Sequence, residues 1–172
     1  LPTASVSGGG TVCAGDVLPD VTFTFTGATP FDFTYTDGTT PVTVNGHNLN
    51  TFTISNASGG TYSVTALTDA NGCIATNLGG NESVIENPLP TVVIGGGGSV
   101  CAGGTLPDVT FTFTGAIPFD FTYTDGTTPV SIINNSLTYT IPNAPEGTYS
   151  FTALSDNNGC IATAFGTPVT VV

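Results

Sequence analysis

One stretch of this chain occurs twice, and that constrains the fold more than any other feature. Leu18–Val42 returns as Leu106–Val130, an offset of 88 residues, with 24 of 25 positions identical and Thr29 against Ile117 as the exception. A chain made of a repeated block folds as copies of one supersecondary unit. With 172 residues and a period near 88, two small domains are expected, 1–88 and 89–172. A feature that matters to the unit should then occur in both copies, which a catalytic site usually would not.

Within each copy the hydrophobicity alternates. Val21, Phe23 and Phe25 are interleaved with Thr22, Thr24 and Thr26, and Phe31, Phe33 and Tyr35 with Asp32, Thr34 and Thr36. A period of two puts the aromatic residues on one face of a strand and the hydroxyls on the other. Asp37-Gly38 is a hairpin signal, and Asn71-Gly72 and Asn158-Gly159 are tight turns. No window has helical periodicity. Seven or so short strands per unit, with turns every 8–12 residues, predict two tandem immunoglobulin-like Greek-key β-sandwich domains in an all-β chain. Gly60-Thr-Tyr62 and Gly147-Thr-Tyr149 enter a late strand in each copy. They resemble the tyrosine corner of such sandwiches, which makes Tyr62 and Tyr149 candidate structural anchors.

The cysteines follow the repeat. Cys13 and Cys101 are 88 apart and Cys73 and Cys160 are 87 apart, so each unit has one early and one late cysteine. These spacings match no zinc or redox motif. The simplest connectivity is Cys13–Cys73 and Cys101–Cys160, tying each unit's N-terminal edge to its last strand. Such bonds imply an oxidising, extracellular or cell-surface setting.

With no Lys or Arg, 12 acidic residues and one His, the formal charge is −12. Nucleic acid is excluded as a partner because phosphate binding needs cations, and no apolar run is long enough for membrane insertion as a helix. His47 is the sole histidine and has no evident counterpart in the second unit, so a nucleophile–base pair has almost nothing to work with. It reads as a solvated loop residue, and the chain as a non-enzyme without catalytic residues or cofactor. Asp20, Asp32, Asp37 and Asp69 recur as Asp108, Asp120, Asp125 and Asp156. Acids in turns commonly bond their own backbone. The alternative, calcium at the Asp69 and Asp156 turns or near Glu82 and Glu86, needs six to eight converging oxygens, and no metal site is expected.

Thr29-Pro-Phe-Asp-Phe-Thr-Tyr-Thr-Asp-Gly38 and Gly60-Thr-Tyr-Ser-Val-Thr-Ala-Leu-Thr-Asp-Ala-Asn-Gly-Cys73 resemble the repeats of large secreted gliding-motility adhesins of bacteria. Tyr35 and Tyr123 stand where that family usually carries Trp. The resemblance implies an extracellular, repetitive, non-catalytic protein. The resulting expectation is a structural section or subunit of a surface fibre that assembles end to end with copies of itself or neighbouring repeats. The alternative is a module of the same fold that recognises surface glycans or a protein through its loops. Asn87-Pro-Leu-Pro90 reads as a stiff joint. Leu1-Pro2 repeats as Leu89-Pro90, and the closing strand Pro168–Val172 is more apolar than Asn81–Ile85, so a chain that continues end to end is expected.

Overall fold

The structure is a computed structural model that describes all residues, Leu1–Val172. It contains strands and no helix. The chain divides into two units, Leu1–Asn87 and Pro88–Val172, one residue before the expected boundary.

Unit 1 has eight strands: β1 (Thr3–Gly8), β2 (Gly10–Cys13), β3 (Val21–Thr26), β4 (Phe31–Thr36), β5 (Pro41–His47), β6 (Thr51–Ile54), β7 (Gly60–Thr68) and β8 (Asn81–Asn87). One sheet has the order β1-β3-β6 and the other β2-β8-β7-β4-β5. All neighbours are antiparallel except β2 and β8, which run parallel. Unit 2 has seven: β9 (Thr91–Gly96), β10 (Val109–Thr114), β11 (Phe119–Thr124), β12 (Pro129–Asn134), β13 (Thr138–Ile141), β14 (Gly147–Ser155) and β15 (Val169–Val171). Its sheets are β9-β10-β13 and β12-β11-β14-β15.

The alternation in sequence becomes the core. Val21, Phe23, Phe25, Phe31 and Phe33 are fully buried, as are Val109, Phe111, Phe113, Phe119 and Phe121. Rings from the two sheets meet across the interior. Phe25 and Phe33 have centroids 4.6 Å apart in unit 1, and Phe111 and Phe151 4.7 Å apart, edge to face, in unit 2. Each buried Phe contributes about 1.5–3 kcal/mol by leaving water.

The opposite faces are hydroxyl-bearing, and neighbouring strands bond through them. Thr22–Thr53 (2.9 Å) and Thr34–Thr43 (3.0 Å) in unit 1 recur as Thr110–Thr140 (3.3 Å) and Thr122–Ser131 (2.8 Å) in unit 2. At the strand ends Thr3–Thr26 (2.7 Å) recurs as Thr91–Thr114 (2.6 Å).

The closing strands differ. Pro168 stands where unit 1 has Asn81, the first residue of β8, and proline has no N–H for a ladder. Strand β15 accordingly starts at Val169, one residue later than β8 by alignment, and pairs with β14 through Val171. The parallel pairing of β2 with β8 recurs in unit 2 as a bridge between Gly98 and Val171, with Val172 N–H donating to the Gly98 carbonyl at 3.0 Å and Val100 N–H to the Val172 carbonyl at 2.9 Å.

Candidate functional site

The features that distinguish this repeat lie at the two ends of each sandwich, here called head and tail. In unit 1 the head is where β1 starts opposite the end of β3, with Thr3 paired to Thr26. The turn after β7 lies there too, because Asp69 Oδ2 and the Pro2 side chain both approach Gly27. The tail is where β7 begins, with Gly60 paired to Val84.

Asp69 organises the head. Its Oδ1 accepts from the backbone N–H groups of Asn71 (3.0 Å) and Cys73 (3.0 Å), and its Oδ2 from that of Ala28 (3.5 Å). Asp69 N–H in turn donates to the Cys73 carbonyl at 3.1 Å. Desolvation pushes the Asp69 carboxyl up, but these N–H donors and the Leu1 ammonium outweigh it and hold the group below its usual 3.8. Unit 2 repeats the arrangement. Asp156 Oδ1 accepts from Asn158 (3.0 Å) and Cys160 (3.1 Å), and Oδ2 from Ala116 (3.1 Å). The Asp-x-Asn-Gly-Cys stretch is thus a cradle that fixes the head cysteine.

The tail is built on close backbone approach. Thr61 N–H donates to the Asp37 carbonyl at 2.8 Å. A Cβ on Gly60 would stand 2.5 Å from that oxygen, so only glycine fits. Strand β2 extends the tail, with Cys13 opposite Asn87, three residues beyond the Val84–Gly60 level.

This geometry overturns the expected pairings Cys13–Cys73 and Cys101–Cys160. The disulfide-bonded cysteines are Cys13 and Cys160, while Cys73 and Cys101 are free thiols. Cys13 lies at the tail of unit 1 and Cys73 at its head, with the nine-residue β7 between the two levels. At about 3.3 Å per residue that strand spans roughly 26 Å, whereas a disulfide needs Cα atoms within about 7 Å. Unit 2 is built alike. Val100 N–H donates to the Val172 carbonyl at 2.9 Å just before Cys101, at the tail, and Cys160 sits in the Asp156 cradle beyond the far end of β14.

Tyr62 Oη donates to the Ser58 carbonyl at 2.9 Å, and Tyr149 Oη to the Pro145 carbonyl at 2.9 Å, each four residues back. Both rings are buried, so each phenol ties the loop before its strand to the core. Burial, with the Asp125 carboxylate second, holds the Tyr149 phenol above its usual 10.0.

His47 is not a solvated loop residue. It is the last residue of β5, opposite Phe31. Its ring lies edge-on to Phe33 (5.8 Å) and Phe52 (5.5 Å), and its Nε2 hydrogen-bonds the Thr51 carbonyl at 2.9 Å. Asn134 takes the equivalent place opposite Phe119, and its Nδ2 donates to the Thr138 carbonyl at 3.3 Å. The counterpart was hidden because Asn45 and Gly46 together face Asp32, a bulge of one extra residue, where Ile133 alone faces Asp120. The other repeated acids serve their own neighbourhoods. Asp20 and Asp108 accept from Asn56 (2.9 Å) and Asn143 (2.8 Å), and Asp37 and Asp125 from Thr39 (2.8 Å) and Thr127 (2.9 Å). An open depression of about 390 Å³ on unit 2 is lined by Asp120, Thr122, Ser131 and Ile161, among others.

Among solved structures, a marsupial T cell receptor matches the whole chain (100% of this chain, 73% of the receptor chain) at 13% identity and a TM-score of 0.54. Both units are immunoglobulin-like β-sandwiches. The mouse nectin-like molecule 4 ectodomain is also similar, at 14% identity and a TM-score of 0.46 over 98% of this chain and 66% of that one. Fibronectin(III)-like modules of Clostridium thermocellum CbhA match at 19% identity and a TM-score of 0.34, over 96% of this chain and 91% of theirs. No protein-family model and no curated protein matches the sequence.

Proposed function

We propose that this chain is a structural section of an extracellular fibre or surface adhesin, in which immunoglobulin-like repeats associate end to end. The observation that carries this is the duplication of both ends. Each unit presents an exposed aliphatic residue beside its head cysteine, Ile74 (68% exposed) and Ile161 (67%), and another at its tail, Ile85 (50%) and Val172 (56%). Exposed apolar side chains repeated at opposite ends suit contacts that join head to tail. Such heterologous contacts propagate into fibres when they do not close. Disulfide-bonded Cys13 and Cys160 fit an oxidising compartment outside the cytosol. The gliding-motility adhesins resembled by the Asp-x-Asn-Gly-Cys stretches supply the fibre setting.

Electron microscopy of the purified protein tests this reading. Filaments with an axial repeat of one or two domains are expected. A strictly monomeric mass across a concentration series in oxidising buffer, with no filaments, would rule it out.

A further inference from the structure

We propose that Cys73 and Cys101 are complementary covalent docking points, the Cys73 sulfur of one copy bonding the Cys101 sulfur of the next. This rests on the filament reading and supplies its linkage. Each unit holds one cysteine at its head and one at its tail, separated by a strand of roughly 26 Å, so neither unit closes a disulfide on itself. The bonded cysteines are one of each kind: Cys13 is a tail cysteine and Cys160 a head cysteine. The free ones are also one of each kind, with Cys73 half-buried at a head and Cys101 exposed at a tail.

The head around the free thiol matches the head around the bonded one. Cys73 N–H is held by Asp69 Oδ1 at 3.0 Å, as Cys160 N–H is held by Asp156 Oδ1 at 3.1 Å, and Ile74 and Ile161 follow in turn. The cradle that accommodates a disulfide in unit 2 is therefore present, with a thiol in it, in unit 1. A second copy of this chain is the occupant that brings the matching tail cysteine. A head-to-tail bond leaves one head and one tail thiol at the ends of any oligomer, so it propagates.

The chemistry is a two-electron oxidation. Two S–H bonds break and one S–S bond forms. The two protons and two electrons pass to a low-molecular-weight disulfide, which is reduced to two thiols through a mixed-disulfide intermediate.

The test uses the full 172-residue chain in a redox buffer of oxidised and reduced glutathione. Non-reducing electrophoresis should show a ladder in steps of 17.2 kDa that dithiothreitol collapses and prior alkylation prevents. C73S and C101S alone should each fail to form the ladder. Mixed together they should give heterodimers on the order of tenfold above the homodimers of either alone, the enrichment that a preferred encounter supplies through effective concentration. Mapping with Asp-N and chymotrypsin on a mixture of ¹⁴N and ¹⁵N protein should find Cys73 joined to Cys101 across chains. No ladder, homodimers as abundant as heterodimers, or a Cys73–Cys101 bond within one chain would each overturn the proposal. Filaments without cross-links would sink the covalent linkage and leave the filament reading standing. A ladder without filaments would support the linkage and narrow that reading to end-to-end association without an ordered filament.

Discussion

Strands β5 and β12 perform one task with different numbers of residues. Pro41–Val44 and Pro129–Ile132 pair with β4 and β11 in the same register. Asn45 and Gly46 then face Asp32 together, with Gly46 at φ +68° and its N–H donating to Asp32 Oδ1 at 2.7 Å. In unit 2, Ile133 alone fills that place and is 72% exposed. The extra residue is absorbed within two positions, because His47 and Asn134 regain the same register and bond the carbonyl of the first residue of β6 and β13, Thr51 and Thr138. The fold thus tolerates a change of chain length at an edge strand, while the core strands β3 and β10 keep an identical sequence. The one-residue change in repeat offset, from 88 at the first cysteines to 87 at the second, is this bulge.

The largest difference between the units should appear in their cores. Phe151 occupies the place of Val64 and meets Phe111, Phe121 and Phe165. Phe151→Ala should destabilise unit 2 by about 3–5 kcal/mol and Val64→Ala should cost unit 1 about 2 kcal/mol. Denaturant titration followed by amide resonances of each unit reads both. Equal losses would mean that the added ring does not anchor unit 2.

The tyrosine corners should be equivalent. Tyr62→Phe and Tyr149→Phe should each cost about 1 kcal/mol, the net value of one hydrogen bond, in the same titration. A loss confined to one unit would break the symmetry.

Acid should act more gently, on turns that the two units share. Asp37 and Asp125 are held below their usual 3.8, first by the side-chain hydrogen bond from Thr39 or Thr127 and then by backbone N–H groups, and Asp69 is lowered as well. A depressed carboxylate stabilises the fold above its unfolded pKa, and that contribution is lost as pH falls through the folded value. Hydrogen exchange at the Asp37 and Asp125 turns should therefore rise alike as pH falls below 4. At the Asp69 head the Leu1 ammonium adds its share, so capping the α-amino group should reduce the pH dependence there.

The smallest effect belongs to the bulge itself. Replacing Asn45 with Ile and deleting Gly46 gives β5 the length and register of β12, and the melting free energy should change by less than about 0.5 kcal/mol, as for a surface change. A larger loss would show that the bulge, through Asp32, supports the fold.

Much of this architecture was legible in the sequence, because the alternation of Phe and Thr is a direct image of strands with one buried face. Gly60 and Tyr62 marked their corner for the same local reason. The cysteines were not legible. Duplicated spacing is compatible with bonding inside a unit or beyond it, and only the direction of β7 shows that Cys13 and Cys73 are at opposite ends. His47 was misread because a bulge breaks the alignment on which its counterpart depended. The later start of β15 had a visible cause in Pro168, but its parallel pairing with Gly98 depends on contact between distant segments.

The threonine pairs across neighbouring strands have a consequence for the ionic conditions this surface can meet. With no Lys or Arg, the chain has no side-chain ammonium or guanidinium to build ion pairs from, and the cross-strand contacts are made between neutral hydroxyls. Dissolved ions do not screen such bonds. The charges that brine does screen are the 12 like-signed carboxylates, whose mutual repulsion fades as the Debye length falls from about 8 Å toward 3 Å at 1 M. Salinity that would loosen ion-paired sheets leaves these contacts in place and relaxes the repulsion between the carboxylates.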